Sequence, residues 1–294
     1  VPIFPPALRP GDLVAVVAPS GPLPPGDFWR GLAWVRDRYR VRMSPGVLSR
    51  AGYLAGDDAR RGSELSKALG DRDVKAVIAG RGGYGAMRLL EGLRPEALAI
   101  APRWLVGFSD ITALHVLAAD AGVASIHGPN VTGLGRASPA NRAAWLAALE
   151  RPGAGAVWRG LRVLNGGEAR GPVAGGNLAL LEAMAAAGRL SLPQGCVLML
   201  EDVDERPYRV DRMLTSLRLG GQLARAAAVV LGGFTRCAPG PDGVTVDDVL
   251  AGRTAALGVP VLAGAPFGHG DQNLAFILGR EATVRGDEVS FPSL

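Results

Sequence analysis

The chain has 294 residues, 48% hydrophobic and 20% charged, enough for a full core in one large domain or two smaller ones and too apolar for a disordered chain. The formal charge of +5 is carried almost wholly by arginine, with lysine only at positions 67 and 75; the arginines are scattered among acids, which argues against a nucleic-acid surface and suits a substrate bearing carboxylates. No apolar run approaches the roughly 18 residues that span a membrane, the first residues do not read as a secretory signal, and two cysteines make neither a disulfide framework nor a zinc site, so a cytoplasmic protein is expected.

In chain order, residues 12–18 form a near-continuous apolar run, the pattern of a buried parallel strand, which Pro19-Ser20-Gly21-Pro22 breaks. Helices are predicted over 27–38 and 57–69, and a second strand over 74–79. Gly80-Arg81-Gly82-Gly83-Tyr84-Gly85 follows, then a helix over 86–93. A third strand over 104–106 stops at Gly107, Ser109 and Asp110 open a helix reaching Ala119, and a fourth strand covers 123–126. This alternation predicts an open parallel sheet whose ligands sit at the carboxyl ends of the strands. From Thr132 to about Glu168 the periodicity weakens, with one short Ala-rich helix over 141–150. Beyond it, Gly175-Gly176-Asn177 leads into a helix over 178–187. Strands are predicted over 196–200, 227–232 and 260–262, helices over 208–218 and 246–256, and a terminal hairpin about Gly286-Asp287. The resulting division is an N-terminal domain over 1–134, a connector over 135–168 and a C-terminal domain over 169–294.

Ser109 lies on a strand-to-helix turn, where an α/β hydrolase exposes its nucleophile beside the free N–H groups of a helix start. The plainer reading is a helix N-cap. A nucleophilic serine needs a base, and the chain has three histidines. His115 shares an apolar helix face and reads as a core residue, and His127 either lines the sheet's carboxyl edge or satisfies a turn. His269, flanked by Gly268 and Gly270, is the favoured base. Glu201, just beyond an apolar strand, is the favoured orienting acid; Asp204 and Glu205 read as a solvated loop, with Arg206 or Arg209 as partners for Glu205. No His-x-His or Cys-x-x-Cys spacing suggests a metal. Gly80, Gly82 and Gly85 match a dinucleotide fingerprint, but no acid stands about 20 residues on, near Ile100, and the Walker pattern is absent. Backbone donors for an oxyanion are the better reading of that loop.

Taken together, five stretches resemble the LD-carboxypeptidase family, serine peptidases that include muramoyltetrapeptide carboxypeptidases and microcin C immunity peptidases. They are Arg9-Pro10-Gly11-Asp12 with Val17-Ala18-Pro19-Ser20-Gly21, the loop from Gly80 to Gly85, Gly107-Phe108-Ser109-Asp110-Ile111-Thr112, the run from Leu200 to Leu214, and Gly268-His269. The likeness spans nearly the whole chain, and five motifs in order make it specific. It implies a triad of Ser109, Glu201 and His269, with the backbone N–H groups of Gly83 (or its neighbour Gly82) and Asp110 forming the oxyanion hole. It implies an α/β fold: an N-terminal open parallel-sheet domain with the serine, a C-terminal mixed α/β domain with acid and base, and the active site between them. Tyr208, Asp211 and Arg212 are expected to be structural or to shape the cleft. Ile111 replaces the second glycine of the usual hydrolase elbow, and the family's motif differs there too. The implied activity is hydrolysis of the LD-peptide bond that releases terminal D-alanine from murein tetrapeptide during wall recycling. A muropeptide stem is the expected partner, with no cofactor, metal, nucleic acid or membrane, in a homodimer. Two alternatives stand beside it: a same-fold peptidase acting on a microcin C-like peptidyl-nucleotide, and a non-catalytic muropeptide-binding protein.

Overall fold

Leu13–Val17 forms β1, buried at every position, as a parallel strand covered on both faces must be. In the computed structural model, which describes residues 2–293 apart from the side chain of Ala97, the chain then alternates helix and strand. α1 (Pro25–Arg36) begins on Pro25, whose missing N–H costs nothing at a helix start, and carries Asp27 in its first turn and Arg36 in its last. β2 (Arg40–Met43) follows, then α2 (Asp58–Gly70), whose first turn is capped by the Asp57 carboxylate accepting from the Arg60 N–H at 2.7 Å. β3 (Val74–Ala79) leads through the glycine loop to a 3₁₀ turn at Met87–Gly92, in place of the predicted α-helix. α3 (Pro95–Ile100) and β4 (Trp104–Gly107) come next. A 3₁₀ turn at Ser109–Ile111 precedes α4 (Thr112–Asp120). β5 (Ser125–His127) and α5 (Val131–Leu134) lead to α6 (Pro139–Glu150), which Ser138 caps and Pro139 starts.

The second half holds β6 (Ala156–Trp158), β7 (Arg162–Asn165), β8 (Glu168–Asn177) and α7 (Leu178–Ala186). β9 (Cys196–Val203), α8 (Pro207–Leu219), β10 (Ala226–Thr235), α9 (Val246–Ala255) and β11 (Val261–Gly268) follow. Then come β12 (Phe276–Leu278), β13 (Glu281–Arg285) and β14 (Glu288–Phe291), the last two forming the predicted hairpin.

Backbone contacts divide the chain into two units, one running to Pro152 and including Leu274–Gly279, the other covering Gly153–Asn273 and the residues from Arg280. Among the described residues, the first unit has a six-stranded sheet in the order β12-β5-β4-β3-β1-β2, parallel except at the β12–β5 edge. Its core packs Val14, Phe28, Leu32 and Trp104 with Trp145 of α6. Both indoles satisfy their N–H on backbone carbonyls, at Pro6 (2.9 Å) and Pro129 (3.2 Å). Glu150 ties α6 into this unit by accepting from the Tyr39 hydroxyl at 2.6 Å and the Arg38 guanidinium at 2.5 Å. The second unit has an eight-stranded mixed sheet in the order β6-β14-β13-β8-β9-β10-β11-β7, with β8, β9, β10 and β11 parallel at its centre. Among the described residues, no helix is long and apolar enough to cross a membrane.

Candidate active site

In the first unit, β4 ends at Gly107, Phe108 stays extended, and Ser109 turns to a φ of 65°. A left-handed φ at a residue with a Cβ costs on the order of 1–2 kcal/mol, and strain of this kind concentrates at functional sites. Its hydroxyl makes no capping hydrogen bond at the start of the 3₁₀ turn or of α4, so the N-cap reading does not describe it. The side chain lies against Gly82: a Cβ placed there would sit 2.9 Å from the Ser109 Cβ and 3.1 Å from its Oγ. Only glycine lets the loop backbone approach the serine this closely.

The loop is fastened to the serine turn. The buried Asp110 carboxylate accepts from the Ala86 N–H at 2.8 Å. Burial pushes this carboxyl above its ordinary range, against the opposing pull of the Ser20 hydroxyl, the Ala86 N–H and the Arg61 charge. Arg61, itself buried, donates to the Gly85 carbonyl at 3.0 Å and to the Pro19 carbonyl, and pairs with Asp58. The Gly21 N–H donates to the Gly82 carbonyl at 3.1 Å. No backbone hydrogen bond among the described residues uses the N–H of Gly83 or Asp110. Asp110 follows the serine in sequence, and Gly83 follows the Gly82 that lies against it.

His115 is the core residue its helix face predicts. One ring nitrogen faces the Gly107 carbonyl and the other the Ser125 hydroxyl, both at 2.9 Å. A carbonyl only accepts, so Nε2 carries the proton and Nδ1 accepts from Ser125. Burial pushes this imidazole down to about 4. An unfolded histidine takes its proton near 6.5, so the contribution of neutral His115 is complete above that pH and is lost as pH falls through about 4. Urea unfolding at pH 7 and pH 4 is expected to show a loss of about 3 kcal/mol in the parent that is absent from His115→Gln. Equal losses in both proteins would refute this origin. His127 is buried in β5, not placed in a turn after it, and its ring stacks on Phe276 at 4.7 Å.

In the second unit, β9 runs past the predicted end at 200 to Val203, so Glu201 and Asp202 are strand residues and both are buried. Glu201 stands in register with Asn177 of β8. His269 follows β11, and its Nδ1 lies 2.7 Å from Glu201 Oε2. Gly268 makes this approach possible: at its φ of 119°, a Cβ would lie 3.2 Å from both Cβ and Oε2 of Glu201. A carboxylate on Nδ1 fixes the imidazole orientation and tautomer, and leaves Nε2 as the nitrogen for proton transfer.

Two further residues belong to this arrangement and were not singled out from the sequence. The Asn177 amide donates to Asp202 Oδ1 at 3.0 Å and reaches Glu201 Oε1 at 3.4 Å, while its carbonyl oxygen caps α7 at the Leu180 N–H, 3.2 Å away. Asp202 also accepts from the N–H groups of Val203 (2.8 Å) and Ala179 (3.0 Å). Burial, with the neighbouring Glu201 charge, raises the Asp202 carboxyl to about 6 against the pull of these donors. For Asn177 the sequence signal is an Asn immediately before an apolar helix, the ordinary mark of a cap; Asp202 lies within the Leu200–Leu214 run. Asp204 is exposed and paired with Arg236 at 2.7 Å, and Glu205 lies 3.6 Å from Arg209. Asp211 accepts from Arg253 at 2.8 Å, and Tyr208 is exposed beneath the Arg209 guanidinium. Of the sequence-derived site residues, then, Ser109 and Asp110 are gathered with the Gly82-Gly83 loop in one unit, and Glu201 with His269 in the other.

Comparison with known proteins adds independent evidence. The profile of the LD-carboxypeptidase N-terminal domain matches residues 14–128, and that of the LD-carboxypeptidase C-terminal domain matches residues 170–284. The chain is 38% identical over 256 residues to the murein tetrapeptide carboxypeptidase of Pseudomonas aeruginosa, covering 83% of each protein. The crystal structure of muramoyltetrapeptide carboxypeptidase from Oxalobacter formigenes superposes with a TM-score of 0.84 at 28% identity, covering 96% of this chain and 99% of that one. MccF in complex with glutamyl sulfamoyl guanosine gives a TM-score of 0.90 at 20% identity, over 100% of this chain and 99% of that one, a likeness of fold.

Proposed function

The chain belongs to the LD-carboxypeptidase family, and from that premise we propose that it is a serine-type peptidase that removes the terminal D-alanine of a murein tetrapeptide. The observation that carries the reading is the 2.7 Å contact between His269 Nδ1 and a fully buried Glu201 carboxylate. A buried acid on the far nitrogen of a histidine is the arrangement a general base requires. The reading requires the Ser109 hydroxyl to meet His269 Nε2 during turnover. His269 then takes the Ser109 proton as Oγ attacks the scissile carbonyl carbon. The oxyanion is held by the N–H groups of Gly83 and Asp110, each such donor being worth on the order of 10²–10³ in rate. The C–N bond breaks as His269 passes the proton to the leaving amine of D-alanine. Water, deprotonated by the same imidazole, releases the acyl group and restores the serine.

The murein substrate is favoured over a peptidyl-nucleotide because the relative named for murein tetrapeptide shares 38% identity, whereas the likeness to MccF is at 20%. The test is incubation of the protein with purified tetrapeptide, following tripeptide and free D-alanine, beside a parallel incubation with an aminoacyl sulfamoyl nucleoside. D-alanine release in the first reaction alone is expected. Cleavage of the nucleoside alone would replace the murein reading, and binding without cleavage of either would replace catalysis.

A further inference from the structure

Resting on that reading and extending it, we infer that a cleft in the first unit, walled by Arg50, Tyr53, Arg81 and Tyr84, binds the terminal carboxylate of the substrate and so confines cleavage to the last residue of the peptide. The cleft has a volume of about 760 Å³, within the range of small-ligand sites, and Gly83 forms part of its wall. That wall is the loop carrying the oxyanion donor proposed above, and the preceding Gly82 lies against the Ser109 side chain. The cleft and the serine thus meet adjacent residues of one loop, Gly83 and Gly82.

The chemistry of the lining selects an anion. Two guanidinium groups line the cleft, and none of its lining residues is acidic. Arg81 donates to the Pro22 carbonyl at 2.7 Å and Arg50 to the Gly52 carbonyl at 3.1 Å. Both bonds end on neutral acceptors, and among the described residues neither guanidinium pairs with a carboxylate. Each is thus held in place with its charge uncompensated and part of its donor fork unused, which suits two-point recognition of a carboxylate. Tyr53 and Tyr84 stand beside them with ring centroids 5.8 Å apart. They are 65% and 49% exposed, so their rings remain open to a ligand in the cleft.

The carboxylate meant is the terminal one because of reach. Arg81 is two residues before Gly83, and one amino acid spans only about 3.3–3.6 Å along a chain. The group one residue beyond the scissile carbonyl of a carboxypeptidase substrate is the C-terminal carboxylate. An internal peptide bond would place a neutral carbonyl there, offering the guanidinium groups no charge.

The test compares kcat/KM for a tetrapeptide ending in a free carboxylate with the same peptide ending in a carboxamide. The parent is expected to prefer the acid strongly. Arg81→Gln should lower kcat/KM on the acid by roughly 10–100-fold, chiefly through KM, and leave the amide almost unchanged. Arg50→Gln should act in the same direction, the double variant should lose the preference, and Arg81→Lys should restore part of it. An undiminished preference in the double variant, or equal losses on both peptides, overturns the inference and leaves the carboxypeptidase reading standing. Failure of the parent to release D-alanine or its amide from either peptide overturns both.

Discussion

Ser109→Ala is expected to lower D-alanine release from tetrapeptide by about 10⁴- to 10⁶-fold, since loss of the nucleophile removes the covalent route and leaves only binding and oxyanion stabilisation. The fold should survive. The hydroxyl caps neither the 3₁₀ turn nor α4, so its removal strands no backbone donor there. Alanine and serine also meet the same penalty at a φ of 65°. Ser109→Gly provides a second check. Glycine adopts that φ without the penalty of about 1–2 kcal/mol, offsetting its greater entropy loss of roughly 0.5–1 kcal/mol. This variant should be as inactive as the alanine one and no less resistant to urea than the parent. Parent-like turnover by folded Ser109→Ala would exclude the serine mechanism. Loss of turnover together with loss of structure would instead make the Ser109 hydroxyl a structural group.

Much of the first unit can be read from the sequence because parallel strands buried on both faces announce themselves as apolar runs. β1, β3 and β4 lie where Val14-Ala15-Val16, Val77-Ile78 and Leu105-Val106 place them. β2 is an edge strand that alternates exposed and half-buried residues, with Arg40 and Arg42 outward, so its composition resembles a loop. β12 has three residues and pairs along its whole length with Ser125–His127 of β5, far back in the chain. The Ser109 turn was conspicuous by residue type, but its φ was not, because no glycine marks it. The Glu201–His269 contact spans 68 residues, so sequence can nominate each partner but cannot join them. Asn177 and Asp202 stayed hidden for another reason. One reads as a helix cap and the other as the neighbour of Glu201 in an acidic run, and their shared role arises only when β9 extends beyond Leu200 alongside β8.

Glu201→Gln should reduce kcat by about 10³- to 10⁴-fold, and the reason lies in the two contacts of the carboxylate. Oε2 faces His269 Nδ1 at 2.7 Å and Oε1 faces the Asn177 amide at 3.4 Å. A glutamine can keep only one oxygen. If that oxygen faces Asn177, its NH₂ group points at Nδ1, forcing the imidazole proton onto Nε2, where it cannot accept from a serine. If the amide turns over, its NH₂ group opposes that of Asn177 and leaves two donors facing each other in a buried site. Either way the base loses its working tautomer or the support of its acid, with no change in side-chain size. Melting temperature and circular dichroism should therefore stay close to the parent while turnover falls. Glu205→Gln is the matched control on the same segment. Its carboxylate is half-buried and faces the Arg209 guanidinium at 3.6 Å, and its kcat should stay within about threefold of the parent. A mild effect at Glu201 with a severe one at Glu205 would move the orienting acid to Glu205. Comparable mild effects at both would leave His269 without an orienting acid and the triad without its third member.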